Sequence, residues 1–424
     1  MHRVERLAAH LAPEHGQQRG VTGVRVNPTS SLGRSPDDVV ICSAVRTPIC
    51  KAKRGSFKDT APDVLMTAVM KAAVDRAGCP VDALGDIVMG NVLLQQAPIY
   101  MRQAQGVAGI PYSVPLHGIN RQCSSGLQAV ATVANAIKAG EYECGLAGGV
   151  ETMSLADMMN SIDPAKISPA VLANEQARNC LLPMGITSEN VAAAYGITRD
   201  MQDKMAVESH RKACRAQELG LYAEEIVPVT TVVKDKEGNE RTVTVTADEG
   251  MRKGVGAADL AKLKPAFKKG GTTTAGNSSQ VSDGAAAVLL AKRSFAEKHG
   301  MPIVGIFRAF AVVGVPPEVM GIGPAVAIPA ALKQAGLSIK DIDVFEVNEA
   351  FASQATYSCD KLGIPYQKLN PKGGAIALGH PLGATGSRQI ATLLPELKRT
   401  GGKLGVVSMC IGSGMGAAAV IERV

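Results

Sequence analysis

A thiol that can attack a carbonyl and an imidazole that can take its proton are both present in this chain, and their spacing relates them. Cys123 lies in "GINRQCSSGLQAV", between a short apolar stretch and residues Leu127, Val130, Ala131, Val133, Ala134 and Ile137, which recur at helical spacing. It therefore stands where a strand ends and a helix begins. A cysteine there reads in two ways. Most unpaired cysteines are small core hydrophobes; but at a helix N-terminus free N–H groups and the helix dipole favour the thiolate, which is a nucleophile. His380, in "GGAIALGHPLGATGSR", stands among glycines that let a backbone or ligand approach closely. Cys410, in "VVSMCIGSGMG", is a third candidate, again at a strand end before glycines.

An internal repeat positions these residues. Residues 62–92 and 324–351 each read as an amphipathic helix ending in Ala-Gly, then a polar turn with Asp, then a short apolar strand. Asp86 matches Asp343 and Asn91 matches Asn348, both 257 residues apart, and the same spacing carries Cys123 to His380. Two halves built of βαβ units imply a duplicated α/β fold, with right-handed crossovers giving each half a mixed sheet under helices. Equivalent strand-to-helix corners would meet near a pseudo-two-fold axis, so a nucleophile and a base would converge from different halves. The other histidines are less well placed. His2, His10 and His15 are near the N-terminus, His210 and His299 lie on charged helical segments, and His117 reads as structural.

The remaining chain falls into segments around the two halves. Residues 1–36 read as a tail, 37–151 with 280–302 as the first half, 152–279 as an insert and 303–424 as the second half. The insert holds the helical run "PMGITSENVAAAYGITRDMQDKMAVESHRKA", with "TSEN" as a capping start. A hairpin, "EIVPVTTVVKDKEGNERTVTVTA", and a basic Gly/Ser/Thr-rich stretch follow. With 3% aromatic residues and no Trp, the chain lacks stacking surfaces for bases. Five Arg and two Glu give residues 1–36 a charge of +3 of the total +7, which leaves a body that gives little support to polyanion binding, although local basic clusters could hold one phosphorylated ligand. Nine cysteines with no C-x-x-C pair argue against a metal site and against a disulfide framework. The most apolar run, "VVSMCIGSGMGAAAVI", is short and interrupted by glycines, and reads as a strand pair rather than a membrane span.

Taken together, "NRQCSSGLQAV", "NEAFA", "GGAIALGHPLGATGSR" and "SMCIGSGMGAAAV" resemble the signature blocks of the thiolases. The likeness covers residues 37–424. It is strongest to the peroxisomal 3-ketoacyl-CoA branch, through "LLPMGITSENVA", "LKPAFKK" and "TTTAGNSSQVSDGAAA". The resemblance implies a duplicated thiolase fold layered αβαβα with an inserted loop domain. It also implies thiolytic cleavage of 3-ketoacyl-CoA through a cysteine acyl-enzyme, in fatty-acid β-oxidation.

Residue by residue, it gives Cys123 the nucleophile's role, His380 the base's and Cys410 that of the acid–base at carbon. One oxyanion would be held by His380 and a water on Asn348, the other by the N–H groups of Cys123 and Gly412. Arg252 would lie against the adenine end of coenzyme A, Ser279 would bond the pantetheine amide, and Met184 and Phe267 would line its channel. Glu349 would brace Asn348. Coenzyme A is implied as co-substrate, with no bound cofactor and no metal. The family forms dimers, so a homodimer is expected.

Three alternatives have their own expectations. A biosynthetic acetoacetyl-CoA thiolase shares the chemistry on a shorter substrate. A β-ketoacyl synthase pairs its cysteine with two histidines, where this body offers one. A catalytically silent lipid-binding relative would have lost the cysteine or histidine, and neither is lost. Cys180, in "ARNCLLPMG", is either an incidental cysteine or a redox partner of Cys123. Near the N-terminus, Arg3-Val4, five residues, then His10-Leu11 resembles the N-terminal peroxisomal targeting signal, which an import receptor reads. The rival is a mitochondrial presequence, against which Glu5 and Glu14 count.

Overall fold

The computed structural model describes residues 22–24, 33–156 and 163–424. The Arg3-Val4/His10-Leu11 pattern lies outside them. Nine strands form the main path of one sheet: β1 (Val39–Arg46), β2 (Asp86–Gly90), β3 (Leu116–Ile119), β4 (Cys144–Thr152), β5 (Ser282–Lys292), β6 (Gly305–Gly314), β7 (Val344–Val347), β8 (Leu404–Ile411) and β9 (Met415–Arg423). Their order is β7-β8-β9-β6-β1-β5-β4-β2-β3. From the centre outward the two sides repeat one pattern. β1 pairs antiparallel with β5, β5 antiparallel with β4, and β4 parallel with β2. β6, β9, β8 and β7 do the same. β1 and β6 meet antiparallel only at Gly305–Ile41 and Ile306–Val40. In the stretch read as a tail, Thr22–Val24 pairs antiparallel with β6.

Apart from the edge strand β3, the strands are buried on both faces, and alternate residues sort into different cores. Val39 and Ile41 of β1, Val288 and Leu290 of β5, Val407 and Met409 of β8, and Ala417 and Ala419 of β9 face one central core. That core is filled by helix Ser125–Ala139 and helix Thr385–Thr400. Val40 and Cys42, with Leu289 and Ala291, face helix Pro62–Ala77 instead. Val406 with Ala418 and Val420 face the residues of helices Gly323–Ala335 and Ala352–Leu362. The layers therefore run helix, sheet, helix, sheet, helix. The repeat helices end where the Ala-Gly signals put them, on Gly78 and Gly336 in left-handed conformation.

The insert's hairpin forms over Val229–Lys234 and Glu240–Val245. Its helical run differs from expectation. Two helices form, Met184–Tyr195 and Arg199–Glu218, broken at Gly196 in left-handed conformation. The first does not start at "TSEN". It starts at Met184, because the Pro183 carbonyl already accepts the N–H groups of Ile186 and Thr187. Ser188 is then free to face inward, where its hydroxyl meets Thr273 and Ser353.

Candidate active site

Cys123 occupies the turn between β3 and helix Ser125–Ala139. The turn is tight: Gln122 holds a left-handed φ of 47°, and the Ser125 hydroxyl closes it by accepting the Arg121 N–H at 2.9 Å. Such a backbone conformation at a non-glycine residue is held by its surroundings and clusters at functional sites. The Gly412 N–H and the N–H of Cys123 itself both point at the thiol. A Cβ on Gly412 would sit 3.7 Å from Gln122 Cγ and from Met184 Sδ, in ordinary contact with both.

Cys410, fully buried at the end of β8, is close enough to Cys123 that a charge on one disfavours a charge on the other. Burial pushes the Cys410 thiol up, and pushes Cys123 up to about 11. The helix N-terminus therefore does not make Cys123 a resting thiolate. Desolvation outweighs the two N–H groups, and the Glu151 charge adds to it.

His380 projects from the loop before helix Thr385–Thr400. The Thr385 hydroxyl donates to the Pro381 carbonyl at 3.0 Å, so at 2.7 Å it accepts the proton of His380 Nδ1. The lone pair is thereby fixed on Nε2, which faces the Asn348 Nδ2 at 3.3 Å. Burial and the nearby Arg388 guanidinium bring the imidazole down to about 3, so it rests neutral. Among the described residues, Asn348 Oδ1 is buried with no partner. Glu349 is buried beside it and accepts from Ser209 Oγ at 2.5 Å and Asn370 Nδ2 at 2.7 Å, which locks the strand end that carries Asn348.

The two corners meet directly. A Cβ on Gly126, three residues past Cys123, would lie 2.7 Å from the carbonyl oxygen of Gly383, three residues past His380. Ser387 Oγ donates to the Gly126 carbonyl at 3.0 Å.

The four candidates for coenzyme A contacts all belong to the insert. Met184 packs on Met320, Ala350, Phe351 and Cys410. Phe267 is half exposed and meets Phe351 edge-on, with ring centroids 6.1 Å apart. The Ser279 N–H donates to the Ala350 carbonyl, two residues from Asn348. Arg252 is exposed, and its N–H donates to His210 Nδ1 at 3.2 Å. Cys180 Sγ lies 3.7 Å from the Ser413 carbonyl, beside Gly412.

The sequence puts His210 on a charged helical segment. It is buried, and burial brings it down to about 4, so it holds the Arg252 backbone as a neutral acceptor. Thr385 and Glu151 carried no signal of their own in the sequence. A hydroxyl five residues past a candidate histidine, one helical turn into "GATGSR", was the available hint for Thr385.

A duplicated five-layer fold with two cysteines, a neutral histidine and a buried asparagine brought together at its seam defines a thiolase, and the chain belongs to that family. Residues 39–294 match the thiolase N-terminal domain and residues 301–423 the thiolase C-terminal domain. Over its whole length the chain is 57% identical to the peroxisomal 3-ketoacyl-CoA thiolase B of Rattus norvegicus, covering 99% of that protein. The dimeric peroxisomal thiolase of Saccharomyces cerevisiae superposes with a TM-score of 0.85 at 47% identity, over 93% of this chain and 99% of that one. The Bacillus anthracis acetyl-CoA acetyltransferase gives 0.83 at 36% identity, over 92% of this chain and 99% of its own.

Proposed function

We propose that this protein cleaves 3-ketoacyl-CoA with coenzyme A, giving acetyl-CoA and a shortened acyl-CoA, as a peroxisomal enzyme of fatty-acid β-oxidation. The observation that carries this reading is the juxtaposition of Cys123, Cys410 and the Gly412 N–H, with His380 Nε2 held neutral beside Asn348. The full-length likeness to a peroxisomal degradative thiolase favours it over the acetoacetyl-CoA alternative.

His380 Nε2 takes the proton of Cys123 as the sulfur attacks the substrate's keto carbon. Both groups resist charge at rest, so the proton moves only as the substrate oxygen develops negative charge against the Cys123 and Gly412 N–H groups. Each such donor is worth about 3–4 kcal/mol. The bond between the keto carbon and the methylene then breaks. The methylene leaves as the enolate of acetyl-CoA, its oxygen held at His380 and Asn348, and the Cys410 thiol gives it a proton. A thiol held protonated by burial suits that acid role. The Cys410 thiolate next takes the proton of incoming coenzyme A, whose sulfur attacks the acyl group on Cys123. Cys123 leaves as thiolate and recovers its proton from His380. Residues 152–279 supply the coenzyme A contacts, through Met184, Arg252, Phe267 and Ser279.

The protein works as a homodimer. β3 is one of the sheet's two edges, and exposed Ile99, Tyr100, Val107 and Tyr112 lie around it, an apolar surface suited to a second copy. Import rests on residues 1–36. A reporter carrying them reaches peroxisomes, and loses them when Arg3 or His10–Leu11 is changed; delivery to mitochondria would overturn this.

The reaction is tested with Cys410→Ser and Cys123→Ser and 3-ketoacyl-CoA of eight or more carbons. The first variant gains an acyl group on Cys123 by intact mass without turning over, and the second gains none. Turnover near wild type in either variant defeats the assignment, and activity confined to acetoacetyl-CoA favours the biosynthetic alternative.

A further inference from the structure

We propose that Glu151 is a positioning residue for this reaction: its carboxylate ties the loop that carries His380 to the N-terminal half and so holds the base over the Cys123 turn. The proposal rests on the roles given above to Cys123 and His380.

Glu151 lies at the end of β4 with its side chain fully buried. Oε2 accepts the Gly383 N–H at 2.9 Å and the Val92 N–H at 3.1 Å. Oε1 accepts the Leu93 N–H and the Asn91 Nδ2, both at 3.1 Å. Residues 91–93 leave β2 in the first half, whereas Gly383 follows His380 by three residues in the second. One carboxylate thus spans the seam.

The backbone around it is closely fitted. A Cβ on Gly383 would come within 2.6 Å of the Val150 carbonyl oxygen and 2.8 Å of Asn91 Cα, and one on Gly149 within 1.9 Å of the Gly383 oxygen. The loop after His380 therefore rests directly on the ends of β2 and β4, and Glu151 is the polar tie within that contact.

Strand register shows that the position belongs to the site. Gly90 pairs with Gly149 and Val347 pairs with Ser408, and Gly90 and Val347 are related by the 257-residue repeat. Two residues past Gly149 is Glu151; two residues past Ser408 is Cys410. Glu151 therefore holds in the first half the place that Cys410 holds in the second. Each reaches across the seam, Cys410 to Cys123 and Glu151 to the loop of His380.

Chemistry makes the carboxylate hard to replace. Four donors face its two oxygens, and all four are uncharged. Burial brings Glu151 up to about 7 in spite of them, and its charge disfavours the Cys123 thiolate. A glutamine has the same shape, but in either orientation its NH2 group confronts two N–H donors.

The test compares Glu151→Gln and Glu151→Asp in the full-length enzyme. It reads kcat and KM for thiolysis, and the pH dependence of Cys123 alkylation by iodoacetamide, located by peptide mass. Glu151→Gln lowers kcat roughly 10–100-fold, the range for residues that orient a reacting group from behind, while KM for coenzyme A stays within about twofold. Its Cys123 alkylation midpoint moves to lower pH, because a neighbouring negative charge is gone. Glu151→Asp keeps the charge, so its midpoint stays with wild type, and it recovers part of kcat. A mere structural brace would lower stability and leave kcat per folded enzyme at the wild-type value. Wild-type kcat in Glu151→Gln, or a midpoint unmoved in that variant, overturns the proposal. Should the glutamine variant not fold, wild-type kcat in Glu151→Asp overturns it, since the shorter side chain cannot reach all four donors. Alkylation of a cysteine other than 123 as the inactivating event in wild type defeats the reading of Cys123 itself, and the proposal with it.

Discussion

Gly126 and Gly383, related by the 257-residue repeat and each three residues past a reacting side chain, touch one another across the seam between the halves. The first turns of the Cys123 and His380 helices are thereby packed backbone to backbone at the pseudo-two-fold axis. Only the absence of a side chain allows that approach. The distance between nucleophile and base is thus set by main chain, which moves far less than two long side chains would.

Gly126→Ala tests this. Its Cβ would lie 2.7 Å from the Gly383 carbonyl oxygen and 3.1 Å from the Ser387 backbone nitrogen, and neither main-chain atom can retreat without moving the start of helix Thr385–Thr400. Overpacking of this kind costs about 1–3 kcal/mol. The urea midpoint should fall, and kcat should fall at least tenfold as the two corners part. Wild-type values for both would show that the contact does not set the geometry.

Burial keeps Cys123 and His380 uncharged at rest, the thiol raised to about 11 and the imidazole lowered to about 3. Between those values the resting pair is thiol and neutral imidazole. Without substrate, alkylation of Cys123 by iodoacetamide should therefore climb with pH through neutrality, with its midpoint near 11. A plateau already reached by pH 7 would mean a preformed thiolate–imidazolium pair and would contradict the desolvation argument.

Much of this architecture was legible in the sequence, because burial on one helical face and on alternate strand residues writes a period that survives without coordinates. The duplicated halves, the strand pair around Cys410 and the insert's hairpin came from such patterns, and the 257-residue spacing brought the Cys123 and His380 corners together. Glu151 escaped for a physical reason. The repeat relates β2 to β7 by 257 residues, but the register places β4 and β8 two residues further apart, so a single spacing aligns Cys123 with His380 yet misses Glu151 with Cys410. Thr385 escaped because its role depends on which partner its one proton chooses. The start at Met184 was missed because a proline carbonyl, rather than a capping side chain, opens that helix. The thiol pKa was misjudged because sequence shows the helix N-terminus and hides the depth of burial.

Phe267 separates binding from chemistry. Its half-exposed ring covers Gly185, where a Cβ would meet Phe267 Cγ at 2.1 Å, and stands edge-on to Phe351. Phe267→Ala should raise KM for coenzyme A by roughly tenfold, the equivalent of about 1.4 kcal/mol of lost aromatic contact, with kcat within about threefold. A loss confined to kcat would remove Phe267 from the coenzyme A channel.

Cys180 is the remaining thiol near the reaction. Its sulfur lies 3.7 Å from the Ser413 carbonyl, and Ser413 follows the Gly412 whose N–H reaches Cys123. The short helix Glu175–Asn179 before it buries no residue, so displacing this segment disturbs little packing. A hydroperoxide converts the Cys123 thiol to a sulfenic acid, with loss of water or alcohol. The Cys180 thiol then displaces a second water, forming a disulfide once the two Cα atoms come within about 7 Å. Cys180 should therefore make peroxide inactivation reversible by dithiothreitol, with a Cys123–Cys180 crosslink in the peptide map. Inactivation should quicken as pH rises, because the thiolate of Cys123 is the oxidised form and burial keeps it scarce at neutrality. In Cys180→Ala the sulfenic acid has no partner there, so inactivation should pass on to the irreversible acids. If that variant recovers under dithiothreitol as fully as wild type, Cys180 is an incidental cysteine, and the thiolase reaction stands without it.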